Sequence, residues 1–295
     1  MSFSAFALAS LLILTVACST QTRELGWERK DFNGKLNSIK PAVANEVRRD
    51  ALVLWSKRHE RSSLEGALKE FEKLANSKAR NYQILVYLSR GYYLLADAFE
   101  TNPKNKIILW EKGLRFGEQA LAQDDSFRAR VESNVPVERS ATMLSSEYIG
   151  ALYWTAANLA RWSKESGIAV FLKHKSQIKT FLQIVDETDP NYFYSATSRF
   201  LGAYYAYTPS IAGGDLKLSS QYFNQALDAY PQYLGTKVLL AELYYTKLNK
   251  KNLFTKYLEE VIQTDTSKYL EIEPENILAK RKAEHLLSIT NELFP

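Results

Sequence analysis

Aromatic rings that carry a polar handle are the most abundant reactive feature of this chain. Eighteen tyrosines and five tryptophans stand among its 295 residues, several in tight groups: Tyr153-Trp154, Tyr204-Tyr205 with Tyr207, and Tyr244-Tyr245. Tyrosine and tryptophan pair a large apolar surface with one hydrogen-bonding group, the combination that ligand clefts use. Adjacent residues on a helix point about 100° apart, so one ring of each pair can face a cleft while its neighbour packs inward. Asn158 and Arg161 follow Trp154 at helical spacing and add an amide and a cation to its stripe. Such a wall suits a ligand bearing a carboxylate or a hydroxyl. Arg199 is a comparable cation in the aromatic segment that ends at Tyr207. The same rings can also fill the gaps between packed helices, and spacing alone leaves both uses open.

Catalytic chemistry finds little support. His59, His174 and His285 fall on different predicted helices, with no nucleophile, acid or metal-ligand spacing beside them. No glycine-rich phosphate loop occurs. Gly213-Gly214-Asp215 reads as a tight turn followed by an N-cap carboxylate, and Glu271 to Glu275 offers too few spaced oxygens for a calcium loop. The chain therefore reads as a binding protein without a metal or cofactor, not an enzyme. Its formal net charge of +5 is spread along the sequence with no basic stripe, which argues against nucleic acid and is compatible with an anionic lipid surface or an acidic partner.

The single cysteine, Cys18, stands where the uncharged run from Phe3 to Ala17 gives way to Ser19-Thr20-Gln21-Thr22. An apolar run of this length is a signal-peptide core rather than a membrane span. A cysteine just past it resembles the lipobox of bacterial lipoproteins, although Thr15 stands where leucine is usual. The resemblance implies export, cleavage of residues 1–17, and acyl chains such as palmitate on Cys18. A lone thiol cannot form an intramolecular disulfide, which agrees. Residues 18–40 are then the lipidated cysteine and a flexible tether, and 41–295 a single helical domain facing the periplasm. Ser19 rather than aspartate after the cysteine tilts the expectation toward the outer membrane.

The elements that must position these residues are helical. Glycine and proline are scarce, helical spacing runs through the mature chain, and no stretch alternates as a strand would. About eleven helices are predicted, over 41–59, 63–74, 81–100, 104–123, 141–164, 170–187, 192–207, 216–230, 232–248, 252–263 and 276–293, with 128–139 as a connector. Short loops between them predict an all-α solenoid of antiparallel hairpins. The tetratricopeptide pattern fits it best: Ala67 and Phe71 in one helix, Phe223, Ala226 and Pro231 in another, and more loosely Gly113, Ala120 and Leu121.

An ordered series extends this reading. It comprises Tyr153-Trp154 with Trp162, then Asp189-Pro190-Asn191-Tyr192-Phe193-Tyr194, then Arg199 to Tyr205. Pro209, Gly213-Gly214-Asp215, Tyr222 to Leu227, and Leu239 to Tyr245 complete it. Over about residues 143–258 the chain resembles the TatT family, the tetratricopeptide lipoproteins associated with TRAP (tripartite ATP-independent periplasmic) transporters. That resemblance implies a homotrimer, a cleft or channel for a small organic or hydrophobic ligand, and association with the transporter's periplasmic solute-binding protein. The competing expectation is a scaffold lipoprotein organising envelope or outer-membrane assembly proteins. Cys18 gives the first test. Cells fed labelled palmitate should acylate the wild-type chain and leave Cys18→Ala unlabelled and released from membranes; equal labelling of both would remove the anchor.

Overall fold

The protein is described by a computed structural model over residues 23–28 and 36–295; Cys18 and the apolar run before it lie outside those residues. Fourteen α-helices follow: α1 (Pro41–Ser56), α2 (Arg61–Ala75), α3 (Tyr82–Phe99), α4 (Pro103–Leu121), α5 (Asp125–Glu132), α6 (Val137–Ala141), α7 (Ile149–Ser166), α8 (Ile168–Thr188), α9 (Tyr192–Tyr207), α10 (Leu216–Ala229), α11 (Gly235–Leu239), α12 (Lys251–Gln263), α13 (Glu273–Ser288) and α14 (Thr290–Leu293). Among the described residues there is no strand, so the fold is all-α as expected.

Helices α3, α4, α5 and α10 begin at side-chain caps that the sequence supplies. Asn81 accepts from the Ile84 N–H at 3.1 Å, Asn102 from Lys104 at 2.9 Å, Asp124 from Phe127 at 2.7 Å, and Asp215 from Lys217 and Leu218 at 2.8 and 3.0 Å. Each such cap contributes about 1 kcal/mol. The turn before Asp215 needs its glycines: Gly213 has φ +96°, and a Cβ on Gly214 would lie 1.7 Å from the Thr208 carbonyl oxygen.

Several boundaries differ from expectation, each for a local reason. The expected connector 128–139 holds most of α5 and the start of α6, because Asp124 caps one short helix and Pro136 precedes the other. The expected helix 141–164 starts only at Ile149, after a 3₁₀ turn at Ser146–Tyr148. Helix 232–248 becomes α11 continued by a π-helical segment, Leu240–Tyr245. Helix α13 starts at Glu273 because Pro274 is tolerated in a first turn. Ser63 lies inside α2 and bonds Glu60 at 2.7 Å rather than capping.

Packing follows chain order. Helices α1 to α4 pack in sequence, α4 packs on α7, α7 on α8, α9 on α10, and α12 on α13. The α4–α7 contact is tight: a Cβ on Gly113 would sit 2.5 Å from Asn158 Oδ1, and one on Gly117 would sit 2.3 Å from Thr155 Oγ1. As positions 113 and 117 rise along α4, their partners 158 and 155 fall along α7, so the two helices run antiparallel. The tetratricopeptide-like positions Ala67, Phe71, Ala120, Leu121, Phe223 and Ala226 are all buried, as that packing pattern requires. One large apolar core runs from Trp27 to Ala196, and a smaller one spans Leu234 to Phe294. Ala206, Phe223 and Leu240 form a third between α9, α10 and the π-helical segment.

Inside the stretch expected as a tether, residues 23–28 dock on the body. The Gly26 N–H donates to Glu118 at 2.8 Å, Gln119 donates to the Gly26 carbonyl at 3.2 Å, and buried Trp27 meets Phe127 edge-on at 5.8 Å. Asn37 then pairs with the loop after α2 through two backbone hydrogen bonds of 3.1 and 3.0 Å. The tight α4–α7 seam yields a prediction. Gly117→Ala should destabilise the protein by about 1–3 kcal/mol, read as a lowered urea midpoint with an unchanged slope. A neutral result would mean that the seam is looser than these distances require.

Candidate ligand cleft

Helix α3 carries two charged residues, Arg90 and Asp97, in an otherwise uncharged sequence. Seven residues apart, they lie near one face of the helix, and each is the centre of a cluster.

Around Arg90 the rings converge. Its guanidinium lies 4.4 Å from the Phe193 centroid, 5.3 Å from Trp55 and 5.6 Å from Trp154. These separations place it over the electron-rich faces, where a cation is favoured. Arg90 Nη2 also donates to Glu275 Oε1 at 2.6 Å. Arg58, just beyond α1, grips the same carboxylate from the other side. Its Nε reaches Oε1 at 2.7 Å and its Nη2 reaches Oε2 at 2.6 Å, while Nη2 and Nη1 also take the Glu271 and Trp55 carbonyls. Burial by itself would push the Glu275 carboxyl up; the guanidinium charges of Arg90 and Arg58, with their hydrogen bonds, outweigh it and hold the group below the ordinary carboxylate range.

Phe193 reaches this cluster through an unusual backbone. Phe193, Tyr194 and Ser195 have φ of 44°, 59° and 53°, a left-handed turn made without glycine at the start of α9. Each such residue costs about 1–2 kcal/mol. Arg199 braces the turn from inside α9, donating to the Tyr194 carbonyl at 2.8 Å and to the Phe193 carbonyl at 3.2 Å, with its guanidinium 4.0 Å from the Tyr233 centroid. Phe193 is thereby presented to Trp154 at 5.3 Å, Tyr153 at 6.5 Å and Tyr233 at 5.6 Å.

Beside the cluster opens a cleft of about 370 Å³, lined by Tyr82, Val86, Tyr87, Arg90, Trp154 and Tyr192 among others, with Glu147 at its edge. The Tyr82 and Tyr192 hydroxyls meet over Gly150, 3.1 and 3.3 Å from where a Cβ would stand. The Tyr82 hydroxyl also accepts from the Ala151 N–H at 3.1 Å. A second hollow, between Asn45 and Ser56, is a shallow depression lined by α1 alone.

Asp97 organises the second cluster. It pairs with Arg161 at 2.8 Å, and burial, which would raise its carboxyl, is outweighed by Arg161 and by Lys282, Lys106 and Lys164. Arg161 also donates to the Tyr93 hydroxyl at 3.4 Å, and Lys282 from α13 pairs with Glu242 at 2.6 Å.

The sequence-derived residues divide among these places. Trp154 lines the cleft, and Tyr153 packs behind it at 5.0 Å. Asn158 is fully buried toward α3, its amide donating to the Ser89 carbonyl at 3.0 Å and to the Trp154 carbonyl at 2.9 Å. Arg161 belongs to the Asp97 cluster, and Arg199 braces the left-handed turn. Tyr204 meets Phe171 and Tyr205, and Tyr205 stacks on Tyr222 at 5.8 Å. Tyr207 is exposed beneath the Lys164 ammonium at 3.7 Å. Tyr244 and Tyr245 sit on the π-helical segment, with Tyr245 against Tyr257 at 5.3 Å.

Arg58, Arg90, Phe193, Tyr233 and Glu275 were missed by sequence reasoning. Two signals were available: Arg90 and Asp97 are the charges of an apolar helix, and Glu275 is an acid in the first turn of α13.

Packed helices with an aromatic cleft at Arg90 define an all-α protein whose packing is compatible with a helical-hairpin array. Residues 61–294 match the family model described as TRAP transporter T-component, and the chain belongs to that family. No curated protein matches the chain. Membership makes this a component of TRAP transport, which places it with the bacterial cell envelope. Among the described residues no helix is long and apolar enough to cross a membrane.

The buried carboxylate supplies a prediction with a sign. A depressed folded-state pKa contributes stability above the unfolded-state value, and that stability is lost as pH falls through the folded one. Glu275→Gln should lose about 3–5 kcal/mol at pH 7, since it leaves two guanidiniums without their counter-charge. Its deficit relative to wild type should shrink on acidification below about pH 4. A deficit that stays constant across the acid range would show that the ionised carboxylate is not what stabilises this contact.

Proposed function

We propose that the protein is an envelope lipoprotein, anchored by acyl chains on Cys18. It binds a small organic or hydrophobic ligand and passes it to the periplasmic solute-binding protein of a TRAP transporter without chemical change. The observation that carries this reading is the cleft at Arg90. Its volume falls within the roughly 300–1,000 Å³ of small-molecule sites, and its walls combine the rings of Tyr82, Tyr87, Trp154 and Tyr192 with the polar groups of Gln83, Arg90 and Glu147. Among the lining residues Arg90 supplies a cation and Glu147 an acid, so the cleft favours a ligand with an apolar body and a carboxylate or hydroxyl that reaches the Arg90 end. Trp154, Tyr192 and Tyr82 would hold the body by stacking and by their hydroxyl or indole edges. The homotrimer that the family resemblance implies would set three such clefts in one assembly.

Cross-linking in intact cells, followed by native mass spectrometry of the isolated protein, tests this. A TRAP solute-binding protein should be recovered, together with a small ligand that Trp154→Ala and Arg90→Gln lose at least tenfold. Recovery of outer-membrane assembly proteins instead, with no small ligand, would favour the scaffold role and make the rings packing elements.

A further inference from the structure

Helix α8 is unlike the other long helices on its outward side. From Ile168 to Val185 it contains Lys173, His174, Lys175 and Lys179 and no acidic residue. Ile168 and Leu172, one turn apart, are 62% and 49% exposed. The 3₁₀ turn at Ser210–Ala212 sits against the same helix, because the Lys175 ammonium donates to the Ala212 carbonyl at 3.0 Å. That turn carries Ile211, fully exposed. Ile168, Leu172, Lys175 and Lys179 thus fall within an arc of roughly 60° on α8, with Ile211 beside Lys175 and exposed Lys173 on the adjoining flank. The acids of α8, Asp186 and Glu187, lie in its last turn, away from Lys173 and Lys175.

The docked N-terminal segment says what lies opposite. Arg23 pairs with Glu118, and its guanidinium stands 5.7 Å from the Trp162 ring. Trp162 in turn meets the His174 ring at 5.8 Å. The chain therefore enters the folded body one side chain away from the basic stretch of α8. Only five residue steps separate Arg23 from Cys18, and covalent geometry limits these to roughly 18 Å. A lipid anchor on Cys18 would keep this part of the body within that distance of the bilayer, and two weak membrane signals acting together give a stable attachment.

We propose that the outward face of α8, with the turn at Ser210–Ala212, is the surface this protein lays on an anionic phospholipid bilayer. Ile168, Leu172 and Ile211 enter the headgroup region and Lys173 and Lys179 meet the phosphates. The inference rests on Cys18 being the anchored residue. It fixes the orientation of the body, with the outward face of α8 toward the membrane.

The test supplies the anchor chemically, so that its failure is separable from a failure of acylation in cells. Protein beginning at Cys18 is coupled through that thiol to a maleimide-headgroup phospholipid, in phosphatidylglycerol vesicles that also contain a photoactivatable lipid. Cross-links should fall within residues 168–179 and 209–213; cross-links confined to α10, α12 or α13 would overturn the proposal. Independently, Cys18→Ser protein should float with phosphatidylglycerol vesicles, and Lys173→Gln with Lys179→Gln should weaken that binding at least tenfold, each lysine near an anionic surface being worth about fivefold. Both side chains are exposed, so the helical signal and melting temperature should not move. Equal flotation of the two proteins would overturn the role of the lysines. If palmitate labelling in cells fails while Cys18→Ser protein still floats through its lysines, the lipoprotein reading and the anchored orientation fall, and only the affinity of this face for anionic lipid stands.

Discussion

The carboxylate of Glu275 meets guanidiniums from positions 217 and 185 residues earlier in the chain, Arg58 and Arg90. Much else depends on that meeting. A helical-hairpin array built from neighbour-on-neighbour contacts has no intrinsic reason to bring its last helices back to its first ones. Here α13 returns to the end of α1 through a charged contact assisted by Arg281, which donates to the His59 carbonyl at 2.5 Å. A near-dry ion pair is a weak source of net stability but a strong source of specificity, because only one alignment of the partners repays their desolvation. The contact therefore acts as a register mark between the two apolar cores.

The same interaction positions the cleft. Arg90 is held at one end by Glu275 and surrounded by Trp55, Trp154 and Phe193, so its guanidinium has little freedom. Phe193 arrives there only because the chain accepts a left-handed turn, and Arg199 offsets part of its cost by taking two of the turn's carbonyls. Strain of this kind persists where the surroundings over-determine it. The result is a rigid aromatic wall at Trp154 and Tyr192, with a cation on its floor that shares a counter-charge with Arg58.

Sequence spacing identified the helical class, most elements, the Asp215 cap and the burial of the tetratricopeptide-like alanines and phenylalanines. It identified Trp154 and Arg199 as residues of interest but not their different tasks. Trp154 faces the cleft, Arg199 supports a backbone, and Asn158, on the same stripe as Trp154, is sealed against Ser89. A stripe on one helix says which residues point together, not which neighbour they meet. Arg90 went unnoticed and Glu275 was weighed only as part of a calcium loop, because each is unremarkable in its own helix; their meaning lies in the distance between them, 2.6 Å across 185 residues.

What the sequence determined by itself is therefore local: helix length and caps, the turn at Gly213-Gly214, the rarity of charge in α3, and the series of motifs that marks the family. These follow from interactions among residues a few positions apart, whose energies do not depend on the rest of the fold. Only the tertiary structure decided which rings line a cleft, that Arg161 answers Asp97, and that α13 closes on the end of α1. Those outcomes depend on long-range contacts, where burial turns a modest Coulomb attraction into a geometric constraint.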